Sequence, residues 1–224
     1  MPYTRFAVYY IPADGPLATF GTKWLGWDVA RGCAVVQPDI AGLTDVTETP
    51  RKYGFHATLK PPFRLAESRT EAQLTTAVSM MAAGCAAAQC DGLALTAMGR
   101  FLALTPQGDV SSIGRIAETC VQEIDQFRAA PDAAELKRRS KTRLSDRQQT
   151  MLRAWGYPYV MDQFRFHLTL TERVPKLAIP EWMAHAVAHL PALPAPFVLD
   201  AVALVGERSQ DGRFELVQRF ALDG

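Results

Sequence analysis

The sequence predicts an α+β fold that is a bilobal, pseudo-two-fold duplication, with two antiparallel sheets facing a central cleft and helices outside. The motif Phe-His-x-Thr-Leu occurs twice, at residues 55–59 and 166–170, although the chain of 224 residues has only 4 histidines. Alternation of apolar and polar side chains in each copy is typical of a strand. After each copy, a proline break, a helical pattern and two strand-like runs follow in the same order, and such self-similarity indicates a repeated structural unit.

Each copy has one apolar side and one polar side, because successive side chains of a strand point to opposite faces of the sheet. The apolar sides, which we expect in the core, comprise Phe55, Ala57 and Leu59 in the first copy and Phe164, Phe166, Leu168 and Leu170 in the second. The polar sides comprise His56, Thr58 and Lys60 in the first copy and Arg165, His167, Thr169 and Thr171 in the second. We expect residues 54–60 and 164–171 to be adjacent inner strands of the two sheets, with the imidazoles on opposite walls of one groove.

Further helices and strands are predicted from the periodicity of apolar residues and from the positions of proline and glycine. Upstream of the first copy, alternation predicts a strand at residues 5–11 and helical spacing predicts a helix at 17–27. Trp24 and Trp27 are interpreted as core or interface residues rather than ligand platforms, because large aromatic side chains are usually buried. Residues 28–50 are predicted to be a loop with one short strand. Downstream, we expect a helix at 70–88 and strands at 93–98 and 101–105.

The middle of the chain is the least symmetric part and is predicted to be a helical insertion at about 111–156. It contains an amphipathic helix at 113–127 and a second helix that starts at a capping box of Asp132 and Glu135. A third helix starts at a capping box of Ser145 and Gln148 and ends at Gly156. After the second copy we expect a helix at 180–190 and strands at 197–205 and 214–222.

These elements predict one bilobal domain over residues 1–224. The first lobe motif spans about 51–106 and the second about 160–224. Composition agrees with a globular protein, with 48% hydrophobic and 21% charged residues. A formal net charge of +1 gives little attraction for long nucleic acid, so RNA is the less favoured partner.

The compartment is predicted to be the cytoplasm. The N-terminal residues lack the pattern of a signal peptide, and no apolar stretch reaches membrane-spanning length. The 4 cysteines have no C-x-x-C spacing, which is typical of a reducing compartment. We expect a monomer with no membrane partner.

The basic run from Lys137 to Arg147 has two interpretations. A solvated helical face, partly neutralised by Glu135 and Asp146, is the general expectation for a charge run. Alternatively, the run is a flap whose arginines bind a phosphorylated substrate, because the guanidinium fork donates paired hydrogen bonds to phosphate. The residues alone leave both interpretations open.

His185 and His189 stand four residues apart on a predicted helix, a spacing that can bind a metal ion. The glutamate of the H-E-x-x-H motif is absent, because Ala186 follows His185. No third ligand has convincing spacing, and a catalytic zinc site needs three protein ligands. We therefore expect no metal site and no cofactor.

The two motif copies carry groups suited to cleaving a phosphodiester without a metal. That reaction needs a base, an acid and donors to the phosphoryl oxygens. His56 and His167 can share the acid and base roles, because the unperturbed pKa of histidine is about 6.5. Thr58 and Thr169 point the same way as the imidazoles and can donate to the phosphate. The alternative is that both histidines are hydrogen-bonded core residues; two copies in matching context favour catalysis.

Four further residues are candidates for binding the substrate. Lys60 and Arg165 lie on the predicted polar sides and could neutralise phosphate charge. Tyr53 and Tyr159 could stack on a base or a sugar, and packing in a core or turn is the alternative for each.

Two copies of His-x-Thr followed by an apolar residue resemble the two-histidine (2H) phosphoesterase superfamily, which includes RNA 2′,3′-cyclic phosphodiesterases and bacterial proteins first called 2′-5′ RNA ligases. The stretches 51–63, 155–160 and 164–167 resemble, more particularly, a branch described as phosphonate-metabolism proteins of unknown role. This resemblance implies a bilobal α+β fold with the catalytic cleft between its sheets, and metal-independent hydrolysis or transesterification. One departure is that Pro61 in the first half corresponds to Glu172 in the second, so the halves are not chemically equivalent.

The predicted function is therefore a metal-independent phosphodiesterase acting on a small cyclic phosphate or phosphodiester, such as a phosphorylated sugar or nucleotide linked to phosphonate metabolism. An RNA 2′,3′-cyclic phosphodiesterase and a non-catalytic module that binds small phosphates are the alternatives. The intact pairs of histidine and threonine argue against the second alternative, because binding alone does not need two residues that exchange protons.

Overall fold

The computed structural model describes residues 3–131 and 144–224. Its strands are β1 (Tyr3–Tyr10), β2 (Trp27–Asp28), β3 (Cys33–Ala34), β4 (Ala57–Phe63), β5 (Ala88–Cys90), β6 (Gly92–Met98), β7 (Phe101–Gln107), β8 (Leu168–Thr169), β9 (Phe197–Leu199), β10 (Ala201–Arg208) and β11 (Phe214–Ala221). Its α-helices are α1 (Pro16–Leu25), α2 (Leu43–Val46), α3 (Glu48–Arg51), α4 (Glu71–Ala83), α5 (Ser111–Ile124), α6 (Asp146–Trp155) and α7 (Ile179–His189), with 3₁₀ turns at Asp125–Phe127, Met161–Gln163 and Lys176–Ala178. None of these helices is long and apolar enough to cross a bilayer.

Two antiparallel sheets dominate the structure. The larger has four strands in the order β11-β10-β1-β4, and the smaller has three in the order β6-β7-β8. Two small two-stranded sheets pair β2 with β3 and β5 with β9. Helices α4 and α5 pack against the larger sheet and α7 packs against the smaller one. The predicted α+β class with antiparallel sheets is confirmed.

Each of the two large sheets combines parts of both sequence halves. The first motif copy enters β4, which shares its sheet with the C-terminal hairpin β10–β11, while the second copy enters β8, which pairs with the hairpin β6–β7. The predicted lobe motifs at about 51–106 and 160–224 therefore do not coincide with one sheet each, and the single bilobal domain over residues 1–224 stays a prediction. Alternation identifies the buried side of a strand, but it does not identify the neighbouring hairpin. Both motif strands also lie at sheet edges, and not at the inner positions that we expected.

One hydrophobic core joins the two sheets. It includes Val8 from β1, Leu104 from β7 and Leu168 from β8, all of them fully buried. Trp24 and Trp27 are buried as predicted. The indole N–H of Trp24 donates to the Leu170 carbonyl at 2.9 Å, so its polar edge is satisfied inside the core.

Several helix boundaries agree with the capping signals in the sequence. The Ser145 side chain accepts from the backbone N–H of Gln148 in a reciprocal capping box, and α6 ends at Gly156 in the left-handed conformation with φ 72°. Helix α4 ends before the predicted residue 88, because residues Ala88–Cys90 pair with β9 instead. The expected helix start at Asp132 and the basic residues from Lys137 to Arg143 lie outside the described residues.

Lys60 does not lie on the polar side of β4. In the pairing of β4 with β1, Thr58 lies opposite Tyr9 and Lys60 lies opposite Val8. Tyr9 and Val8 are adjacent in β1, but Thr58 and Lys60 are separated by Leu59. Leu59 is therefore the extra, unpaired residue of a β-bulge. Val8 faces the main core and Tyr9 faces the opposite side. The bulge therefore directs Lys60 away from the side that carries Thr58, and the prediction that Lys60 faces the cleft is wrong.

A buried ion pair holds Lys60 in its actual position. Its side chain is only 2% exposed and its Nζ donates to the Asp125 carboxylate at 3.0 Å and to the Val121 carbonyl at 3.1 Å. Burial lowers the pKa of Lys60, and the carboxylate of Asp125 opposes that shift. Asp125 also accepts from Arg128 at 2.8 Å. Lys60 therefore joins β4 to α5.

We expect Asp125→Asn to lower the free energy of unfolding by about 3 kcal/mol or more, because it leaves a buried ammonium group without its anion. Lys60→Met should cost clearly less, since methionine is an uncharged side chain of similar length and Asp125 keeps its bonds to Arg128. Urea denaturation of the two variants measures the difference. Equal losses, or a larger loss for Lys60→Met, would contradict this account.

Candidate active site

His56 lies immediately before β4 and is anchored through its backbone turn. Its Nδ1 is 2.9 Å from the Gly54 carbonyl and its Nε2 is 3.0 Å from the Thr58 hydroxyl. Because a carbonyl only accepts, the proton of the neutral ring is assigned to Nδ1. Nε2 then carries a lone pair and accepts from Thr58. Gly54 makes the turn possible, since its φ is +73° and a Cβ there would be 2.5 Å from Val29.

Tyr9 packs directly on His56. The two ring centroids are 3.8 Å apart at an interplanar angle of 25°, and Tyr9 is fully buried. Burial lowers the pKa of His56 to about 4, the bond to the Gly54 carbonyl opposes this shift, and the charge of His167 adds to it. His56 is therefore a neutral imidazole near pH 7.

His167 repeats this arrangement in the second copy. It lies immediately before β8, and its Nδ1 is 2.7 Å from the carbonyl of Arg165, again two residues earlier. The ring of Phe101 lies 5.7 Å away, centroid to centroid. Burial lowers the pKa of His167, and the Arg165 carbonyl opposes that shift.

The structure brings the four predicted catalytic residues to two adjoining recesses. A recess of about 600 Å³ is lined by His56, Thr58 and Thr169. A second, of about 440 Å³, is lined by His167 and also by Thr169. Thr49, Thr171 and Glu172 line both. The polar groups of the two sheet edges therefore meet at a shared wall.

The shared wall carries Glu172, whereas the corresponding residue of the first half is Pro61. The Glu172 carboxylate accepts from the Thr49 hydroxyl at 2.8 Å, and its backbone N–H donates to the Val46 carbonyl at 2.7 Å. Thr171, next to it, is fully buried and accepts from the Leu102 N–H at 3.0 Å. The Thr171 hydroxyl thus stabilises the backbone of β7, whereas the Glu172 carboxylate lines both recesses.

Two of the predicted binding residues lie elsewhere. Arg165 is exposed, its guanidinium donates to the Phe164 carbonyl at 2.8 Å, and it lines a separate cavity beside Met98. The alternation that we used for Arg165 does not apply, because residues 164–167 are not a strand. Tyr159 is 44% exposed, and Tyr157 lines the larger recess in its place. The structure does not place Arg165 or Tyr159 on the lining of either recess, so substrate binding by these two residues stays a prediction.

Tyr53 does line the larger recess, together with three residues that the motif did not indicate. These residues are Arg5, Tyr9 and Tyr157. Arg173 similarly lines the smaller recess. Arg5 and Tyr9 have the same parity on β1, which is the one signal in the sequence that could have placed them on one side of a strand.

Within residues 3–131 and 144–224, no cluster of three His, Cys, Asp or Glu side chains is placed to hold a metal ion. On α7, His189 Nδ1 is 2.8 Å from the His185 carbonyl. Trp182 packs against His185 with ring centroids 5.5 Å apart. These contacts fit ordinary helix histidines.

Comparisons with known proteins add a family and several relatives. The family model described as "Protein of unknown function (DUF1045)" matches residues 58–215. The chain is 35% identical over 240 residues to a ribose 1,5-bisphosphate phosphokinase PhnN of Janthinobacterium sp. (strain Marseille), covering 99% of this chain and 51% of that protein. It is also 35% identical over 218 residues to PhnN of Laribacter hongkongensis (strain HLHK9), covering 95% of this chain and 50% of that protein. The chain thus spans about half the length of the curated relatives it matches.

Two solved structures are similar at low identity. E. coli LigT complexed with 3′-AMP is 13% identical, with 99% of each chain covered and a TM-score of 0.46. A phosphoesterase is 14% identical, with 99% of each chain covered and a TM-score of 0.43.

We expect the neutral state of His56 to be visible by NMR. Long-range ¹H–¹⁵N spectra of the free protein should show a neutral ring protonated on Nδ1, which becomes charged only near pH 4. The unfolded chain has a histidine pKa of about 6.5 and binds the proton first, so stability falls as pH falls from 6.5 toward 4, by up to about 3 kcal/mol. His56→Asn should flatten this pH dependence. A His56 signal that titrates near pH 6.5 would contradict the burial argument.

Proposed function

We propose that this chain, which belongs to the DUF1045 family, is a metal-independent phosphodiesterase that cleaves a small cyclic phosphate or phosphodiester by paired-histidine acid–base catalysis. One observation carries the proposal. Two imidazoles are anchored in the same way, Nδ1 to the carbonyl two residues earlier, beside recesses that share Thr169. If the two histidines served only to pack in the core, both rings would not need the same Nδ1 anchor, which leaves Nε2 as the reactive nitrogen of each.

The geometry supports a division of roles between the histidines. His56, whose pKa is lowered to about 4, accepts a proton at Nε2 from the attacking water. The water oxygen bonds to phosphorus, the phosphorus–oxygen ester bond breaks, and the leaving oxygen takes a proton from Nε2 of His167. Proton transfer by positioned groups at both ends of the reaction is the requirement for general acid–base catalysis.

The threonine hydroxyls stabilise charge on the phosphoryl group. In the free protein, Thr58 donates to His56 Nε2 at 3.0 Å. With substrate bound, the same hydroxyl turns to a non-bridging oxygen and leaves Nε2 free for the water. Thr169 performs the same role beside His167. Donors that are already in place when charge develops lower the barrier most effectively.

A small substrate suits the dimensions and charge of the site. A recess of about 600 Å³ lies in the usual range for small-molecule pockets. The relatives named ribose 1,5-bisphosphate phosphokinase support a phosphorylated pentose as the substrate class, and the link to phosphonate metabolism stays a prediction. Cleavage of a cyclic phosphate yields a monoester, which is a kind of molecule that a sugar-phosphate kinase can consume.

We do not propose the phosphokinase activity of these relatives for this chain. The sequence contains no G-x-x-x-x-G-K-[ST] loop, the motif that commonly cradles the phosphates of ATP. An RNA 2′,3′-cyclic phosphodiesterase remains the second candidate, because the same four residues would serve it.

We expect His56→Ala and His167→Ala each to lose about a hundredfold or more in turnover of small cyclic phosphates. The double variant should lose much less than the product of the two, since the pair acts as a unit. Thr58→Val and Thr169→Val should cost less. His189→Ala, an exposed helix histidine, is the matched control. Assays in chelator should give full activity, and a loss restored by a divalent metal would contradict the mechanism.

An RNA end must be included as a probe in the same assay. An oligoribonucleotide with a 2′,3′-cyclic phosphate should be a poorer substrate than a small cyclic phosphate. Turnover of the oligonucleotide alone would select the RNA candidate.

The pH dependence of kcat/KM should be a bell with its maximum below the ordinary histidine pKa of about 6.5. The acid limb follows protonation of His56 near pH 4, and the alkaline limb follows deprotonation of His167, whose pKa is also lowered. The kcat profile should lie at higher pH, because an anionic phosphate in the complex raises both pKa values. A kcat/KM maximum at about pH 8 would contradict these roles.

A further inference from the structure

Three polar side chains to which the proposed mechanism gives no role line the larger recess together with Thr58. Arg5 and Tyr9 extend from β1, and Tyr53 lies on the segment before the first motif copy; all three line the recess. The Tyr53 ring stacks on Phe214 at 5.3 Å between centroids, and the Arg5 guanidinium lies 5.8 Å from the same Phe214 ring. Phe214 thus holds two members of the group on one aromatic surface. We refer to Arg5, Tyr9 and Tyr53 as the donor cluster.

The donor cluster has hydrogen-bonding capacity that the protein does not use. The Tyr9 hydroxyl is buried without any partner. Within the part of the chain that the structure describes, the Tyr53 hydroxyl has no hydrogen bond, and Arg5 uses Nε and Nη2 but not Nη1. Buried polar groups are nearly always paired, and an unpaired buried hydroxyl costs stability. The buried, unpaired Tyr9 hydroxyl therefore indicates a ligand, and the partly exposed Tyr53 hydroxyl and Arg5 Nη1 line the same recess as further donors.

The chemistry of the cluster favours a ligand that only accepts hydrogen bonds. Arg5 can only donate, and burial keeps the Tyr9 phenol protonated by raising its pKa well above the usual range. The neighbouring carboxylate, Glu207, already accepts from Arg5 through both oxygens and from Thr4. A nucleobase edge presents donors as well as acceptors, whereas a phosphate presents only acceptors, and Arg is well suited to phosphate.

We propose that the donor cluster binds a second phosphate group, a monoester carried by the same small molecule whose diester lies between His56 and His167. This inference rests on the proposed function and names its substrate class more closely: a cyclic phosphate that also carries a terminal phosphate monoester. The ion pair with Glu207 holds the Arg5 guanidinium so that Nη1 is available to the phosphate oxygens. The Tyr9 ring, stacked on His56, links the two phosphate positions.

A matched pair of probes tests the second phosphate. Adenosine 2′,3′-cyclic phosphate and the same molecule with a 5′-phosphate differ only in the monoester. We expect kcat/KM to be at least about tenfold higher for the 5′-phosphorylated probe, mainly through KM, because hydrogen bonds to a charged group contribute this much or more. Tyr9→Phe, Tyr53→Phe and Arg5→Gln should each reduce that preference.

Two controls separate binding from folding. Tyr10→Phe removes a hydroxyl from the opposite, core side of the same strand and should keep the preference. Tyr9→Phe should leave the urea midpoint of the free protein unchanged or raise it, because it removes a hydroxyl that has no partner. A lowered midpoint would show a structural role for the hydroxyl and would overturn the inference.

The outcomes distinguish this inference from the proposed function. Equal turnover of both probes would overturn the second phosphate site and leave the phosphodiesterase proposal intact. Turnover of neither would overturn that proposal, and calorimetric binding of the two probes would still test the cluster: tighter binding of the 5′-phosphorylated probe, lost in Tyr9→Phe, supports it. A preference for adenine over uracil that depends on Tyr53 and Arg5, with no effect of the 5′-phosphate, would assign the cluster to a nucleobase and overturn the inference.

Discussion

The hydrogen bond from each imidazole Nδ1 to the carbonyl two residues earlier sets what the candidate site can do. It joins His56 to Gly54 at 2.9 Å and His167 to Arg165 at 2.7 Å. A carbonyl cannot donate, so the neutral ring keeps its proton on Nδ1 and offers the lone pair at Nε2. Because the anchor is a backbone atom, ring orientation follows from the local turn. That dependence explains why the turn before His56 needs a glycine at φ +73°.

The exchange of hairpins makes the two halves of the site depend on each other. The edge strand that follows His56 is supported by β1, which in turn pairs with the C-terminal β10, while the strand that follows His167 is supported by β7 from the first half. β1 contributes Val8 to the main core and Tyr9 to the site from opposite sides. The second half alone would therefore leave β8 without its partner strand, and the first half alone would leave β4 with β1 but without the C-terminal hairpin that completes the sheet.

Local signals in the sequence predicted most helices and strands and singled out the four motif residues. The predictions that differ from the structure are those in which pairing with a distant strand, and not the alternation of side chains along one strand, decides which way a side chain points. Alternation correctly placed Phe55, Ala57 and Leu59 in the core, but a bulge at Leu59 reversed the side of the next residue, Lys60. A bulge depends on the partner strand and leaves no mark in a single run of residues. Arg5 belongs to a strand fifty residues upstream of the motif, so no motif could have indicated it.

The loss of Lys60 and Arg165 from the cleft changes how phosphate charge is neutralised. The cations lining the two recesses, among the residues described, are Arg5, which is paired with Glu207, and the exposed Arg173, whose charge is screened by solvent. A phosphodiester anion beside two neutral imidazoles raises the pKa of both, so binding favours uptake of one proton. That proton supplies the missing positive charge and the catalytic acid together. The lowered pKa values of the free protein therefore agree with an acid–base pair, because the substrate itself charges one member.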